Sequence, residues 1–544
     1  MSTLALSTAA RARSSAYAGT GQLLALAWRR DRVLIPASIL GLAALSVGSA
    51  KATLELYPDL DSAQQGLGSV LLNPAVQALY GPVVATSIDG LAVFKTVMLG
   101  AVFTAILGFV VTRRHTRSEE EEGRLELLGA GVVGRRAPLT AALLLALLAV
   151  LGAGALSTLG LLGLGMEPVG SLAFGSAWLT AGVSAIGLTA LAAQLAATAR
   201  GCGGLVLGAL GLDFLLRAVG DTATSPAGQA LGWLTPLGWA GRTEPYGANR
   251  FFTLGLGVAL AAGATAIAYR LLATRDLGSG ILPSRRGLAE ASRVLRSPAA
   301  LVGRLTRGSV LGWLVGVAVV AAVVGSLLAS VTEMAADPAV RAMLERVGGA
   351  AGSIEDIFVS TELRFIAGAV TAAGVALVLR LAGAERGGAA EVVLATPTRR
   401  SSWYAAHVGA GFTLTAVLLA AVGTLIGAVG HRVTPQAPTV AEGLGAALAL
   451  VPGVWVVVGA AAALFGLGAR YAAWSWGVLL VGFLLGEVGR TMGLPEWVIS
   501  LSPFAHTSHL PGGRFDLTPT LLLLSVAAAL VGFGLLAYQR RDAA

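Results

Sequence analysis

The sequence predicts an all-α polytopic membrane protein with about twelve transmembrane helices, arranged as two parallel six-helix pseudo-repeats. Three observations carry this expectation. Only 12% of the 544 residues are charged, against 55% hydrophobic. Apolar segments about 20 residues long, the length that crosses a bilayer, recur along the chain. An acidic loop occurs twice, at half-chain spacing. A soluble chain carries about 25% charged residues, so at a mean hydropathy of +0.77 a soluble enzyme would lack the charges to cover its surface. The lone cysteine, Cys202, excludes an intrachain disulfide and any multi-cysteine metal site.

With a window of roughly 19 residues, the apolar segments fall at 33–50, 91–111, 138–164, 172–197, 204–219 and 251–271, then at 309–329, 363–382, 404–429, 444–468, 474–492 and 519–538. They are rich in Leu, Val, Ala and Gly, small residues being what lets helices approach closely in lipid. The 204–219 segment is short for a crossing and carries Asp213 and Arg217. The basic cluster Trp28-Arg29-Arg30-Asp31-Arg32 directly precedes a full-length span, so no cleavable signal is evident. The stretch before it, Gly21 to Trp28, suits an amphipathic helix lying at the interface. A first half at 1–272 and a second at 309–544 are joined by a basic linker, 273–308, punctuated by Pro283 and Pro298, with a surface helix expected at 287–296.

Orientation follows from Lys and Arg. With the N-terminus inside the cell, the cytoplasmic segments hold 27 of them and the outer ones 10, a firm positive-inside bias. Both termini of a multi-pass cell-membrane protein are then cytoplasmic, as twelve crossings require. The net charge of +9 is answered by anionic lipid at the inner leaflet, so membrane lipid is the partner it implies and nucleic acid is not.

The loop after the second segment reads Glu119-Glu120-Glu121-Glu122-Gly123-Arg124-Leu125-Glu126 and ends at Arg135-Arg136; the loop after the eighth reads Glu385-Arg386-Gly387-Gly388-Ala389-Ala390-Glu391 and ends at Arg399-Arg400. An offset of 265 residues superimposes Glu120 on Glu385, Gly123 on Gly388, Glu126 on Glu391, Ala130 on Ala395 and Arg135 on Arg400. Leu234-Thr235-Pro236 matches Leu501-Ser502-Pro503, and Arg275-Asp276 matches Arg541-Asp542, at similar offsets. An even number of spans in each half makes the repeat parallel, about an axis along the membrane normal. A transport pathway between the halves is the natural reading; a duplicated scaffold without a conduit is the plainer one.

In each loop a carboxylate cluster precedes an apolar run at helical spacing, the pattern of a short amphipathic helix. Its glutamates would sit near the helix N-terminus, where the dipole favours negative charge. Such a helix is either merely solvated or a docking surface for a cytoplasmic partner, and its recurrence in both halves favours docking. The chain has no energy source of its own. Its two lysines, Lys51 and Lys95, follow Ala50 and Phe94, so neither completes a P-loop, and an ATPase driving this chain would be a separate one.

Proton coupling is the competing source, since ionisable residues within spans are costly and functional by default. The candidates are Lys95, Asp213 with Arg217, and Glu487 with Arg490. Their three- and four-residue spacings suit pairing along one helix face, which fits structural ion pairs better than a relay. His506 and His509 suit a loop better than a metal site, so no metal is expected. Phe94, Phe103, Phe109, Phe214, Phe358, Phe365 and Phe483 either line a pathway for a hydrophobic small molecule or face lipid. A membrane scaffold or sensor that recruits a partner through the same loops is a further alternative.

The Glu-Glu-x-Gly-x-x-Glu-Leu-Leu motif with its following Gly-Arg resembles the loop of ABC-2-type transporter permeases. More narrowly, the segments Glu120–Arg136, Arg275–Gly280, Arg307–Trp313 and Ser502–His506 resemble the actinobacterial polyketide-antibiotic (tetronasin-type) exporters, a family that includes mycobacterial multidrug efflux permeases. The likeness spans essentially the whole chain, with Ala389-Ala390 standing where the first loop has Arg124-Leu125. It implies the permease subunit of an ATP-driven exporter of amphipathic, drug-like or antibiotic molecules. Two copies of a separate cytoplasmic ABC ATPase would bind ATP and Mg and dock on coupling helices at 113–137 and 383–403. The coupling residues would be Glu120, Glu121, Glu122, Gly123 and Glu126 in the first half and Glu385, Gly388 and Glu391 in the second. The resemblance further implies connecting helices at Gln22–Arg32 and Ala300–Arg307, and re-entrant hairpins at Pro226–Trp239 and Pro495–His506.

Overall fold

The structure, a computed structural model, describes residues 16–57, 59–64, 74–82, 87–129, 133–223, 225–282, 290, 295–334, 353–489 and 494–541. Among the described residues every regular element is helical. Eleven helices among the described residues are long and apolar enough to cross a membrane, and the chain divides into two compact units, Met1–Gly287 and Leu288–Ala544.

The first unit holds six such helices: Leu34–Leu56, Ile88–Glu121, Ala137–Gly163, Pro168–Leu195, Ala199–Thr222 and Phe252–Thr274. Pro168–Leu195 is the enclosed one, with 83% of its most apolar window buried against 22% for Phe252–Thr274. It carries hydroxyls into that interior without loss, because Thr180, Ser184 and Thr189 each donate to the carbonyl four residues back, at 2.8, 2.7 and 2.6 Å. Its Trp178 is fully buried and donates its indole N–H to the Thr96 carbonyl at 3.1 Å. Gly100 makes room for that ring: a Cβ there would lie 1.9 Å from it.

The second unit holds Pro298–Thr332, Ile354–Arg386, Arg400–Val433, Val440–Leu467 and Leu517–Arg540. Val440–Leu467 is its enclosed helix. Gly466 meets Gly534 of the last helix so closely that a Cβ on Gly466 would come 2.2 Å from the Gly534 carbonyl oxygen. Small residues at such crossings are how helices in lipid gain packing without a hydrophobic drive between them.

The spans differ from the sequence expectation at two places. The 204–219 segment belongs to a full 24-residue helix, Ala199–Thr222, started by the Thr198 side chain accepting from the Gly201 N–H at 3.0 Å. The 474–492 segment holds a shorter helix among the described residues. Its apolar helix runs Ala472–Glu487, from a 3₁₀ turn at Ala472–Trp474 to a π turn at Leu484–Val488, and residues 490–493 lie outside the described set. The expected connecting helix Ala300–Arg307 is not separate, being the start of the 37-residue helix Pro298–Met334, ~55 Å long at 1.5 Å per residue. Its N-terminal counterpart, Thr20–Asp31, does break before Leu34–Leu56. Of the surface helix expected at 287–296, only 290, 295 and 296 are described. The segments expected as hairpins hold short helices, Pro226–Leu231 and Pro236–Gly241 in the first unit, Glu496–Ile499 and the 3₁₀ turn Pro503–His506 in the second.

Candidate functional site

The duplicated acidic loops are the place where sequence and structure converge. In the first unit the helix beginning at Ile88 passes through a π turn, Arg114–Ser118, into Glu119–Glu121. A π turn adds a residue to the helical repeat and rotates the side chains beyond it about the helix axis. Here Arg117 and Glu120 end up inside, 1% and 8% exposed. Gly123, at φ +71°, reverses the chain, and Arg124–Gly129 comes next as a separate short helix with Glu126 in its first turn. The four consecutive glutamates therefore close a helix instead of opening one, contrary to expectation. At a C-terminus the dipole opposes them, and arginines offset it. Arg30 pairs with Glu119, Arg124 with Glu119 at 3.3 Å and with Glu122 at 2.6 Å. Glu121 turns to the Ala199–Thr222 helix and accepts from its first N–H, at Ala199, at 2.7 Å.

Glu120 is the centre of a clasp. Arg275, the residue that ends the Phe252–Thr274 helix, donates to both its carboxylate oxygens at 2.5 and 2.7 Å. The Gly278 N–H donates to it at 2.7 Å, and Arg117 lies 2.8 Å away. Gln194 accepts from Arg275 Nε at 2.7 Å, and Arg135 donates to the Arg275 carbonyl at 2.7 Å. A cavity of about 390 Å³ opens beside this group, walled also by Leu125 and Leu139.

The second unit repeats the clasp. Ile354–Val378 runs into Arg380–Arg386, Gly388 sits at φ +72°, and Ala389–Leu394 comes after it with Glu391 in its first turn. Arg541, ending the last helix, donates to Glu385 at 2.7 Å, and Arg400 donates to the Arg541 carbonyl at 2.9 Å. Instead of a second carboxylate contact and an amide, Arg541 has aromatic faces, lying 4.9 Å from the Phe465 ring centre and 5.1 Å from that of Tyr538. Two correspondences found separately in the sequence, Glu120 with Glu385 and Arg275 with Arg541, are thus the two halves of one contact.

Around each clasp the glutamates divide by exposure. Glu120 and Glu385 face inward and hold helices together, whereas Glu121, Glu122, Glu126 and Glu391 are exposed. Sequence reasoning grouped all of them as one surface and gave Arg117 no role. Arg275 and Arg541 carried the available signal, each following its loop glutamate by 155 or 156 residues.

The intramembrane charges pair differently from their spacing. Asp213 accepts from the Leu237 N–H at 3.2 and 3.3 Å, starting the hairpin helix Pro236–Gly241. Arg217 turns the other way along its helix, to Asp221 at 3.1 Å. Glu487 meets Arg364 at 3.4 Å; its expected neighbour Arg490 lies outside the described residues. Lys95 lies 5.6 Å from the Phe94 ring centre. His506 bonds the Ser500 carbonyl and His509 the Arg364 guanidinium.

The aromatics do not form one lining. Phe94 walls a cavity of about 520 Å³ at the far end of the first unit, Phe214 lies under Arg217, and Phe103 is exposed on the flank of its helix. Phe365 and Phe483 meet edge to face, 5.7 Å apart, in an open apolar groove of the second unit. Near the larger cavity, burial pushes the Tyr246 hydroxyl up to about 12 despite its bond to Ser171, so it stays protonated.

Two comparisons place the chain. Residues 295–539 match the family described as "Multidrug efflux system permease Rv1217c, C-terminal domain". The chain is 38% identical over 541 residues to the multidrug efflux system permease protein Rv1217c of Mycobacterium tuberculosis, covering 97% of this chain and 96% of that one. The match runs over nearly the full length of both chains. This chain belongs to the Rv1217c family of multidrug efflux system permeases.

Proposed function

We propose that this chain is the translocating subunit of an ATP-driven exporter of the ABC-2 type, of the tetronasin-type branch, moving amphipathic drug-like molecules out of the cell. Two copies of a separate P-loop ATPase, binding ATP and Mg, dock on its cytoplasmic face. That face carries the basic ends of the helices and both termini. The observation that carries the reading is the duplicated loop: each unit presents an exposed glutamate, Glu126 or Glu391, on a short helix whose root is clasped to the unit's last helix. A helix so rooted cannot swivel freely, so force from a docked ATPase passes into the long helices and tilts them as rigid bodies. The partnered state of the intramembrane charges Asp213, Arg217 and Glu487 supports ATP over a proton relay as the energy source.

The test is nucleotide hydrolysis by the cognate ATPase purified with this chain. Glu126→Ala and Glu391→Ala each lower permease-stimulated hydrolysis several-fold while the chain stays inserted; unchanged stimulation in both variants refutes the reading. Because Cys202 is buried, a cysteine placed at position 126 also reports sidedness, reacting with an impermeant maleimide only from the cytoplasmic face.

A further inference from the structure

The first unit has a second, unassigned concavity. It lies at the opposite end of the Ile88–Glu121 helix from Glu120, ~45 Å along that helix, and its volume of about 520 Å³ falls within the ordinary range for small-molecule sites. One wall is aromatic, from Tyr80, Phe94 and Trp233. The other is ionic, from Asp221, Arg242, Glu244 and Arg250.

Within the ionic wall Arg242 is the loosely held charge. Arg250 pairs with Glu244 at 2.8 Å. Asp221 is shared between Arg217 at 3.1 Å and Arg242 at 3.7 Å, so Arg242 has the weaker hold on it. Arg217 is fully buried and donates from Nη2 to the Ala78 and Leu79 carbonyls. Arg242 donates to the Gln229 carbonyl at 3.0 Å and lies over the Trp233 ring, 5.1 Å from its centre. The nearby acids Asp89, Glu167 and Asp213 do not line the cavity and accept from backbone N–H groups instead. The undescribed neighbours in sequence, 83–86 and 224, contain no ionisable side chain. The wall is also held stiffly. Glu244, Tyr246 and Asn249 all have positive φ, at 48°, 58° and 48°, and the loop is closed by the Arg250 N–H to the Thr243 carbonyl at 2.7 Å. Strain of this kind persists only where the surroundings fix it, and it gathers at binding sites.

We propose that this cavity binds an amphiphilic anion, an apolar molecule with one carboxylate or similar group, its tail on Phe94 and Trp233 and its charge between Arg242 and Arg250. The site stands independently of the ATPase reading, because binding alone reports it.

The experiment uses the full chain in nanodiscs of zwitterionic lipid, with 11-bromoundecanoate as probe and its trimethylammonium counterpart as control. Bromine quenches tryptophan at short range, so the saturable quenching lost in Trp233→Phe, after subtraction of empty discs, reports occupancy. The expected result is saturable quenching by the anion and not by the cation. Arg250→Gln weakens anion binding about fivefold, the size of a half-exposed charge contact, Arg250→Lys restores it, and Glu244→Gln strengthens it. Three results overturn the proposal: quenching that only tracks partition into the disc, equal binding of the cation, or Arg250→Gln and Glu244→Gln shifting affinity in the same direction. The last would mean that the pair only holds the loop.

Discussion

Replacing Glu120 by Gln is the sharpest probe of the clasp, because it keeps the shape and removes one charge. In the first unit that carboxylate accepts from two N–H groups of Arg275 and from the Gly278 N–H, with Arg117 2.8 Å away. A glutamine retains one acceptor oxygen and turns an NH₂ donor toward donors. Hydrogen bonds to charged groups contribute about 1.5–3 kcal/mol each. Two arginines, 1% and 7% exposed, also lose their shared counter-ion, and breaking a buried pair from one side costs about 3–5 kcal/mol. A loss near 3 kcal/mol lowers the midpoint of thermal unfolding by roughly 6–12 °C in a domain of 150–250 residues. Glu122→Gln is the control: its partner Arg124 and its own side chain are about half exposed, and such pairs are worth ~0–1 kcal/mol. Unfolding of the purified protein, followed by fluorescence in one detergent, compares them directly. Adding Arg275→Met to Glu120→Gln closes a double-mutant cycle, with a coupling of about 1.5–3 kcal/mol expected from contacts this direct. Equal shifts for Glu120→Gln and Glu122→Gln, or a coupling near zero, would show that the clasp holds nothing.

Two more outcomes rest on single contacts. Asp213→Ala leaves the Leu237 N–H without its acceptor and frees the hairpin start, a capping loss of about 0.5–2 kcal/mol, so hydrogen exchange quickens at 236–241 while the clasp end is unchanged; uniform exchange would argue against the local role. Gly466→Ala puts a methyl where the Gly534 backbone lies, at 2.2 Å. The Val440–Leu467 and Leu517–Arg540 helices must then separate, at about 1–3 kcal/mol, and a midpoint equal to wild type would mean that the crossing is looser than described.

Much of this was legible in the sequence, and the failures have physical causes. Hydropathy found every long helix among the described residues, because in lipid a spanning helix must satisfy its own backbone and be apolar for its full length. It misjudged the Ala199–Thr222 helix, where Asp213 and Arg217 lowered the apolar score although both are satisfied internally. The Asp213–Arg217 pairing was undecidable from spacing: Arg217 lies four residues from both Asp213 and Asp221, and only the hairpin N–H of Leu237, a tertiary partner, takes Asp213 out of contention. The acidic motif was visible twice, but its division into inward and outward glutamates was not. That division depends on the π turn before Glu119 and on an arginine 155 residues away.

The two clasps differ in a way that bears on how the loops work. In the first unit the arginine is held by two carboxylate oxygens, an amide and a backbone carbonyl, all directional contacts that fix it in one orientation. In the second, Arg541 has one hydrogen bond to Glu385 and rests on Phe465 and Tyr538. Cation–π contacts vary slowly as a guanidinium slides over a ring, so this clasp yields before the first one does. The Glu385→Gln loss should therefore fall below that of Glu120→Gln, toward 1–2 kcal/mol for a single charged hydrogen bond that is partly exposed. A matching loss would mean that the aromatic bed is as rigid as the amide and second carboxylate contact it replaces. With the smaller loss, and on the proposed docking of an ATPase at both loops, an equal push on Glu126 and Glu391 would move the second loop further relative to its last helix, making a stiff lever and a compliant one.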